Sequence, residues 1–133
     1  MYNLTKILIV EDETITSMHL EAGLRSRKYS FIRTTTTGEA AIELSREEHP
    51  DIIIMDYSLA GKINGVETAA VIDTFCKPHY IFISGYLDDD FMKQTEIFKS
   101  SDYLNKPFTI SDLIIKINDW REKSFGTQLD LSF

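Results

Sequence analysis

Four short apolar runs, each ending abruptly on polar residues, constrain this chain more than any other feature. Lys6-Ile7-Leu8-Ile9-Val10 leads to Glu11-Asp12, and Asp51-Ile52-Ile53-Ile54-Met55 leads to Asp56. Tyr80-Ile81-Phe82-Ile83 leads to Ser84, and Asp102-Tyr103-Leu104 leads to Asn105-Lys106-Pro107. Such runs, rich in β-branched side chains and bounded by turn residues, predict strands buried on both faces, the pattern of a parallel sheet. In an open parallel sheet the ligand crevice lies at the carboxyl ends of the strands. Glu11, Asp12, Asp56, Ser84 and Lys106 are therefore expected to converge on one pocket, a set suited to handling a phosphoryl group.

Helical patterns separate the runs. Between Glu13 and Lys28, Ile15, Leu20, Gly23 and Leu24 recur at near-helical spacing, and Phe31-Ile32-Arg33-Thr34-Thr35 is a further short β-rich run. Thr36 and Glu39 have capping-box spacing at the head of a helix through Ala40, Ala41 and Leu44, which His49-Pro50 stops. Asn64 and Glu67 open another, running to about Phe75. Asp88-Asp89-Asp90 begins a fourth, with Phe91, Thr95 and Phe98 on one side. Ile110, Leu113, Ile114, Ile117 and Trp120 mark the last. Alternating strands and helices predict an α/β fold, a parallel sheet with helices on both faces and right-handed crossovers. From Lys123 to Phe133 no helical pattern is evident, despite Phe125, Leu129, Leu131 and Phe133, and a frayed terminus is expected.

A chain of 133 residues with one cysteine is expected to form one domain, with a core that needs no disulfide. Cys76 reads as a small helix residue in a reducing compartment. No stretch approaches the roughly 18–20 consecutive apolar residues that span a bilayer. Met1 to Lys6 reaches a charged strand boundary too early for a signal peptide, so a cytoplasmic protein without membrane contact is expected. The net charge of −7, with lysines and arginines scattered, argues against direct nucleic-acid binding. His19, His49 and His79 lie far apart and read as surface or helix-end residues rather than metal ligands.

The pocket chemistry follows from the residue types. Asp56 can accept a phosphoryl group as an acyl phosphate. Beside it, Glu11 and Asp12 would repel unless a cation neutralised them, and oxygen-only donors with room for water suit Mg²⁺. Lys106 would offset charge on the phosphoryl oxygens, and Ser84 could donate a hydrogen bond to one of them. Taken singly, each has a plainer reading: Asp56 as a turn residue, the acid pair as a helix cap, Lys106-Pro107 as a surface turn. Their joint placement at strand ends outweighs those readings.

From about residue 5 to 122 the chain resembles the receiver domain of two-component response regulators. The resemblance implies a five-stranded sheet in the order 2-1-3-4-5 and the flavodoxin-like, doubly wound fold. It implies that Asp56 takes phosphate from a sensor histidine kinase or phosphotransfer protein, with Lys106 and Ser84 stabilising it. Mg²⁺ would be held by Asp12 and Asp56 directly, by Glu11 through water and by the Ser58 backbone carbonyl. Lys106-Pro107 resembles the family's cis peptide, and Tyr103 stands where the family places its switch aromatic, moving with Ser84. The face formed by the fourth helix, fifth strand and fifth helix would signal to a partner protein, and it allows homodimerisation. Kinase recognition would fall on the first helix, about Ile15 to Leu24, and on Pro107 to Thr109. Residues 1–123 would be the receiver and 124–133 a tail with no output domain, and Met1 close to the first strand favours a free-standing or amino-terminal receiver. A receiver cut from a longer hybrid kinase or multidomain regulator is the alternative within this class.

Two departures stand out. The loop Tyr57-Ser58-Leu59-Ala60-Gly61-Lys62-Ile63-Asn64-Gly65 lacks the family's usual Met-Pro and is one residue longer, a Leu-x-Gly version found in a subset of receivers. Gly85 replaces a commoner Ala after the hydroxyl residue, leaving space near the phosphate. Ser58 and Tyr86 would flank the hydrolytic water, and bulky Tyr86 is expected to slow self-dephosphorylation. Other classes fit less well. An aspartyl-nucleophile phosphatase would need a second acid where Ser58 stands, and a flavodoxin-like electron carrier would not place Glu11-Asp12-Glu13 in its phosphate loop. A signalling module that catalyses at most its own phosphorylation and dephosphorylation is expected, rather than an enzyme.

Overall fold

A computed structural model describes residues 3–85 and 89–131, without the side chains of Asn3 and of 126–131. The chain alternates β1 (Asn3–Val10), α1 (Thr14–Ser26), β2 (Tyr29–Thr35), α2 (Gly38–Glu48), β3 (Ile52–Asp56), α3 (Gly65–Ile72), β4 (His79–Ser84), α4 (Asp89–Thr95), β5 (Ser101–Asn105) and α5 (Ile110–Leu131). The five strands form one parallel sheet in the order β2-β1-β3-β4-β5. Both expectations, the alternation and the order, are met.

The sheet separates two cores because successive strand side chains point to opposite faces. Ile7, Ile9, Ile52, Ile54, Ile81 and Ile83 pack with Leu20 and Leu24 of α1 and Leu113 and Ile117 of α5. Leu8, Val10, Ile53, Met55, Tyr80 and Phe82 pack with Ala41 of α2, Val66, Ala69 and Ile72 of α3, and Phe91 and Phe98. Every residue of β3 and β4 is buried, which explains why their sequences read as unbroken apolar runs.

Several local expectations differ from the structure. The α2 cap is Thr37 rather than Thr36: its side chain accepts from the Ala40 N–H at 3.1 Å. A parallel bridge between Thr37 and Ala60 keeps residue 37 extended, shifting the cap by one position and leaving the Glu39 carboxylate for another partner. The box at Asn64 and Glu67 forms as expected, with bonds of 2.9 and 2.8 Å. Its helix, α3, stops at Ile72 instead of near Phe75. The Thr74 and Phe75 N–H groups tighten onto Val71 and Ile72, and Pro78 disfavours helix at the residue before it. His79 is not a surface residue but is buried at the start of β4, under Trp120. The segment after Lys123 is helical rather than patternless. No proline interrupts α5, and Phe125 meets Trp120 edge-on at 5.9 Å, so the helix continues to Leu131.

Candidate functional site

Sheet register brings the predicted residues to one level. Val10 pairs with Met55, Asp56 with Ile83 and Ser84 with Asn105. The Glu11 N–H donates to the Thr35 carbonyl at 3.0 Å and the Lys106 N–H to the Ser84 carbonyl at 2.8 Å, extending the ladder one step past β1 and β5. Glu11, Asp56 and Ser84 are buried at this rim, whereas Asp12 and Ser58 are exposed. The Lys106–Pro107 peptide is cis, as expected. Gly65 is required by close approach: a Cβ there would collide with the Asp56 carbonyl oxygen and the Met55 side chain.

Carboxylate oxygens of Glu11, Asp12 and Asp56 lie within 4.8 Å of one another. The Lys106 Nζ sits 3.1 Å from Asp56 Oδ2 and 3.2 Å from Glu11 Oε1, with Glu13 Oε1 at 4.0 Å. Burial, followed by the hydrogen bond and charge of Asp56, pushes the Glu11 carboxyl up to about 7, against the Glu13 N–H and Lys106. For Lys106, burial favours the neutral amine, but Asp56 and Glu11 outweigh it and hold the ammonium above its ordinary value. Two buried acids share one lysine, so negative charge remains uncompensated. That excess, the oxygen-only donors and the exposed side of Asp12 fit a hard divalent cation that keeps water ligands.

The acid pair is not a helix cap. Glu13 occupies the cap position of α1 and makes no side-chain cap bond, while Glu11 turns into the pocket. Ser84 borders a cleft with Tyr57, Ser58, Gly85, Asp90, Phe91 and Gln94. A Cβ on Gly85 would meet nothing within 4 Å, so the space expected there is present. Tyr103 is half-buried against the α4-side core. Tyr86 and Asp88 lie outside the described residues, as do Ser132 and Phe133.

Two neighbours were not legible from residue spacing. Tyr57 meets Phe91 of α4 edge-on at 5.2 Å, linking the residue after Asp56 to that helix. Glu39 Oε2 accepts the Lys62 N–H at 3.2 Å, tying α2 to the loop after β3. Capping-box spacing had suggested a helix-internal role for that carboxylate.

Residues 7–118 match the response regulator receiver domain family. The chain is 30% identical over 109 residues to the transcriptional regulatory protein PdtaR of Mycobacterium tuberculosis, a match covering 82% of this chain and 53% of that protein. It spans about half the length of the curated relatives it matches. The signal receiver domain of a modulated diguanylate cyclase from Desulfovibrio desulfuricans G20 superposes with a TM-score of 0.77 at 31% identity, covering 87% of this chain and 92% of that one. A CheY-like receiver domain protein from Methanospirillum hungatei JF-1 shares the fold, with a TM-score of 0.82 at 20% identity over 91% of this chain and 96% of that one.

Proposed function

The chain belongs to the response regulator receiver domain family, and from that premise we propose that it is a phosphoacceptor switch acting through Asp56. The observation that carries this reading is the buried Asp56 carboxylate 3.1 Å from Lys106 Nζ, inside the Glu11-Asp12-Asp56 cluster. An Asp56 carboxylate oxygen forms a bond to the phosphorus of a phosphohistidine on a sensor kinase or phosphotransfer protein. The P–N bond breaks, its electron pair stays on the imidazole nitrogen, and that nitrogen takes up a proton. Lys106 compensates charge on the phosphoryl oxygens, and the Ser84 hydroxyl donates to one of them after transfer. Mg²⁺ would be held by Asp12, Asp56 and the Ser58 carbonyl, with Glu11 acting through water, and would neutralise the acids and the incoming phosphoryl group.

The donor docks at the rim of the pocket. Ile15 and Met18 of α1 are exposed there, beside a groove lined by His19, Leu20, Pro107 and Phe108. Readout follows a population shift in which Ser84 and Tyr103 move together and re-pose the α4-β5-α5 face. Ile97, just after α4, and Ile115 of α5 are exposed and available to a partner protein or a second copy. No helix among the described residues is long and apolar enough to cross a membrane. The charge of −7 supports signalling through protein contacts rather than through nucleic acid bound by this chain.

Incubation with a small phosphodonor and Mg²⁺, followed by intact-mass measurement of wild type and Asp56→Asn, tests the reading. One added phosphoryl group on the wild type alone is expected. Equal labelling of both proteins would sink it.

A further inference from the structure

The loop joining β3 to α3, residues 57–64, carries the Ser58 carbonyl, yet the sheet holds only its ends. At the first end the Tyr57 N–H donates to the Ile83 carbonyl at 2.9 Å. At the other the Gly65 N–H donates to the Tyr57 carbonyl at 2.8 Å, and Asn64 is locked by its capping box. Between these ends Leu59 packs against the core, and further tethers reach to the head of α2. Thr37 bridges to Ala60, and Glu39 Oε2 accepts the Lys62 N–H at 3.2 Å. The Ile63 side chain lies 2.8 Å from where a Cβ on Gly38 would stand. Gly61, at φ +100°, turns the loop beneath Glu39, and a Cβ there would come 2.8 Å from Glu39 Oε1. Backbone in that region strains residues with a Cβ, so the turn calls for glycine.

From this geometry we infer that Glu39 is a positioning residue for the cation site: its carboxylate clasps the mid-loop backbone and thereby holds the Ser58 carbonyl in place. The inference rests on the receiver reading, since it presumes that the Ser58 carbonyl is a ligand. Glu39 touches neither phosphate nor metal in this scheme. Its effect runs through the Lys62 N–H and the four-residue span back to Ser58. Loss of one charge-assisted hydrogen bond at an exposed position should weaken cation affinity about three- to tenfold. The added residue in the loop makes the clasp matter, because a longer span between fixed ends has more conformations to lose on binding.

The test combines hydrogen exchange with calorimetric Mg²⁺ titration on wild type, Glu39→Ala and Glu39→Gln. Glu39→Ala should speed exchange of the Lys62 amide and raise the Mg²⁺ Kd about three- to tenfold, with the thermal midpoint unchanged within about 2 °C. Glu39→Gln keeps an acceptor oxygen and should restore both readouts towards wild type. Unchanged Lys62 exchange in Glu39→Ala would show that the clasp does not hold the loop. Faster exchange with unaltered Kd would show that the held loop does not position a ligand. Either result overturns the inference and leaves the phosphoacceptor reading standing, whereas a wild type that binds no Mg²⁺ overturns both.

Discussion

One histidine far from the phosphoacceptor pocket should make this fold less tolerant of acid than it would be without that residue. His79 opens β4 at the end of the sheet opposite Asp56 and is only 7% exposed. Its Nδ1 lies 2.7 Å from Ser100 Oγ, and its ring stacks on Trp120 at 5.7 Å and 15°. Nε2 is buried and has no hydrogen-bond partner among the described residues. The cleft beside it is lined by Lys99, Asp102, Lys116, Asp119 and Lys123. Burial, partly offset by Asp102 and reinforced by Lys123, lowers the imidazole from its ordinary 6.5 to about 4. Protonation would place a charge with two donors where one nitrogen has no acceptor.

The sign follows from linkage. Between about pH 6.5 and 4 the unfolded chain binds a proton at this histidine that the folded chain refuses, so the histidine's own contribution to stability falls as pH falls through that window. The full loss is about 3 kcal/mol, of which about 2 kcal/mol should appear between pH 7.5 and 5. Urea unfolding followed by emission of Trp120, the only tryptophan, measures total stability at each pH, and comparison with variants isolates the histidine. Carboxylates titrate too, and Glu11, held up at about 7, acts with the opposite sign because the folded chain takes its proton first, but they are common to wild type and variant and cancel in the difference. His79→Phe preserves the stack on Trp120, and His79→Gln preserves a polar partner for Ser100. Each should lose the pH-dependent part, so the stability gap from wild type should change by about 2 kcal/mol between pH 7.5 and 5, in the variant's favour. Curves for wild type and both variants that stay parallel across that range would refute the account.

Gly65→Ala should cost about 2–3 kcal/mol in urea unfolding, because the new methyl meets the Asp56 carbonyl and cannot be accommodated by a side-chain rotation. Gly85→Ala meets nothing within 4 Å and should unfold within about 0.5 kcal/mol of wild type, so equal costs for the two would contradict the packing described. Deleting residues 124–133 removes the Phe125 edge contact on Trp120 and should lower stability by about 1 kcal/mol, with size-exclusion chromatography reporting any change of oligomeric state. Tyr86→Ala should speed loss of the acyl phosphate, followed by the decay of the phosphorylated mass, and an unchanged half-life would remove Tyr86 from the account.

The parts that were legible in the sequence share a cause. β3 and β4 are buried on both faces, so burial wrote their positions directly into composition, and the acid and the hydroxyl at their ends stood out by contrast. Site convergence then follows from parallel connection, whereas the strand order came with the resemblance to the receiver family. What spacing misread depends on contacts between segments distant in the chain. Thr36 and Thr37 are equivalent as caps by sequence, and the bridge to Ala60, across an intervening strand, selects Thr37. Glu39 sits one place too early for a capping box around Thr37, which frees its carboxylate for Lys62. His79 looked like a surface residue because nothing adjacent covers it, whereas Ser100 and Trp120 do. These contacts divide the molecule functionally as well. The pocket rim is held by short-range geometry that tolerates little change, as at Gly65. The loop above it is held in its middle by the Thr37–Ala60 bridge, by Leu59 and Ile63 packing and by the exposed Glu39 carboxylate, so on the proposed reading α2 is where the loop can be loosened without touching a residue of the phosphoacceptor site.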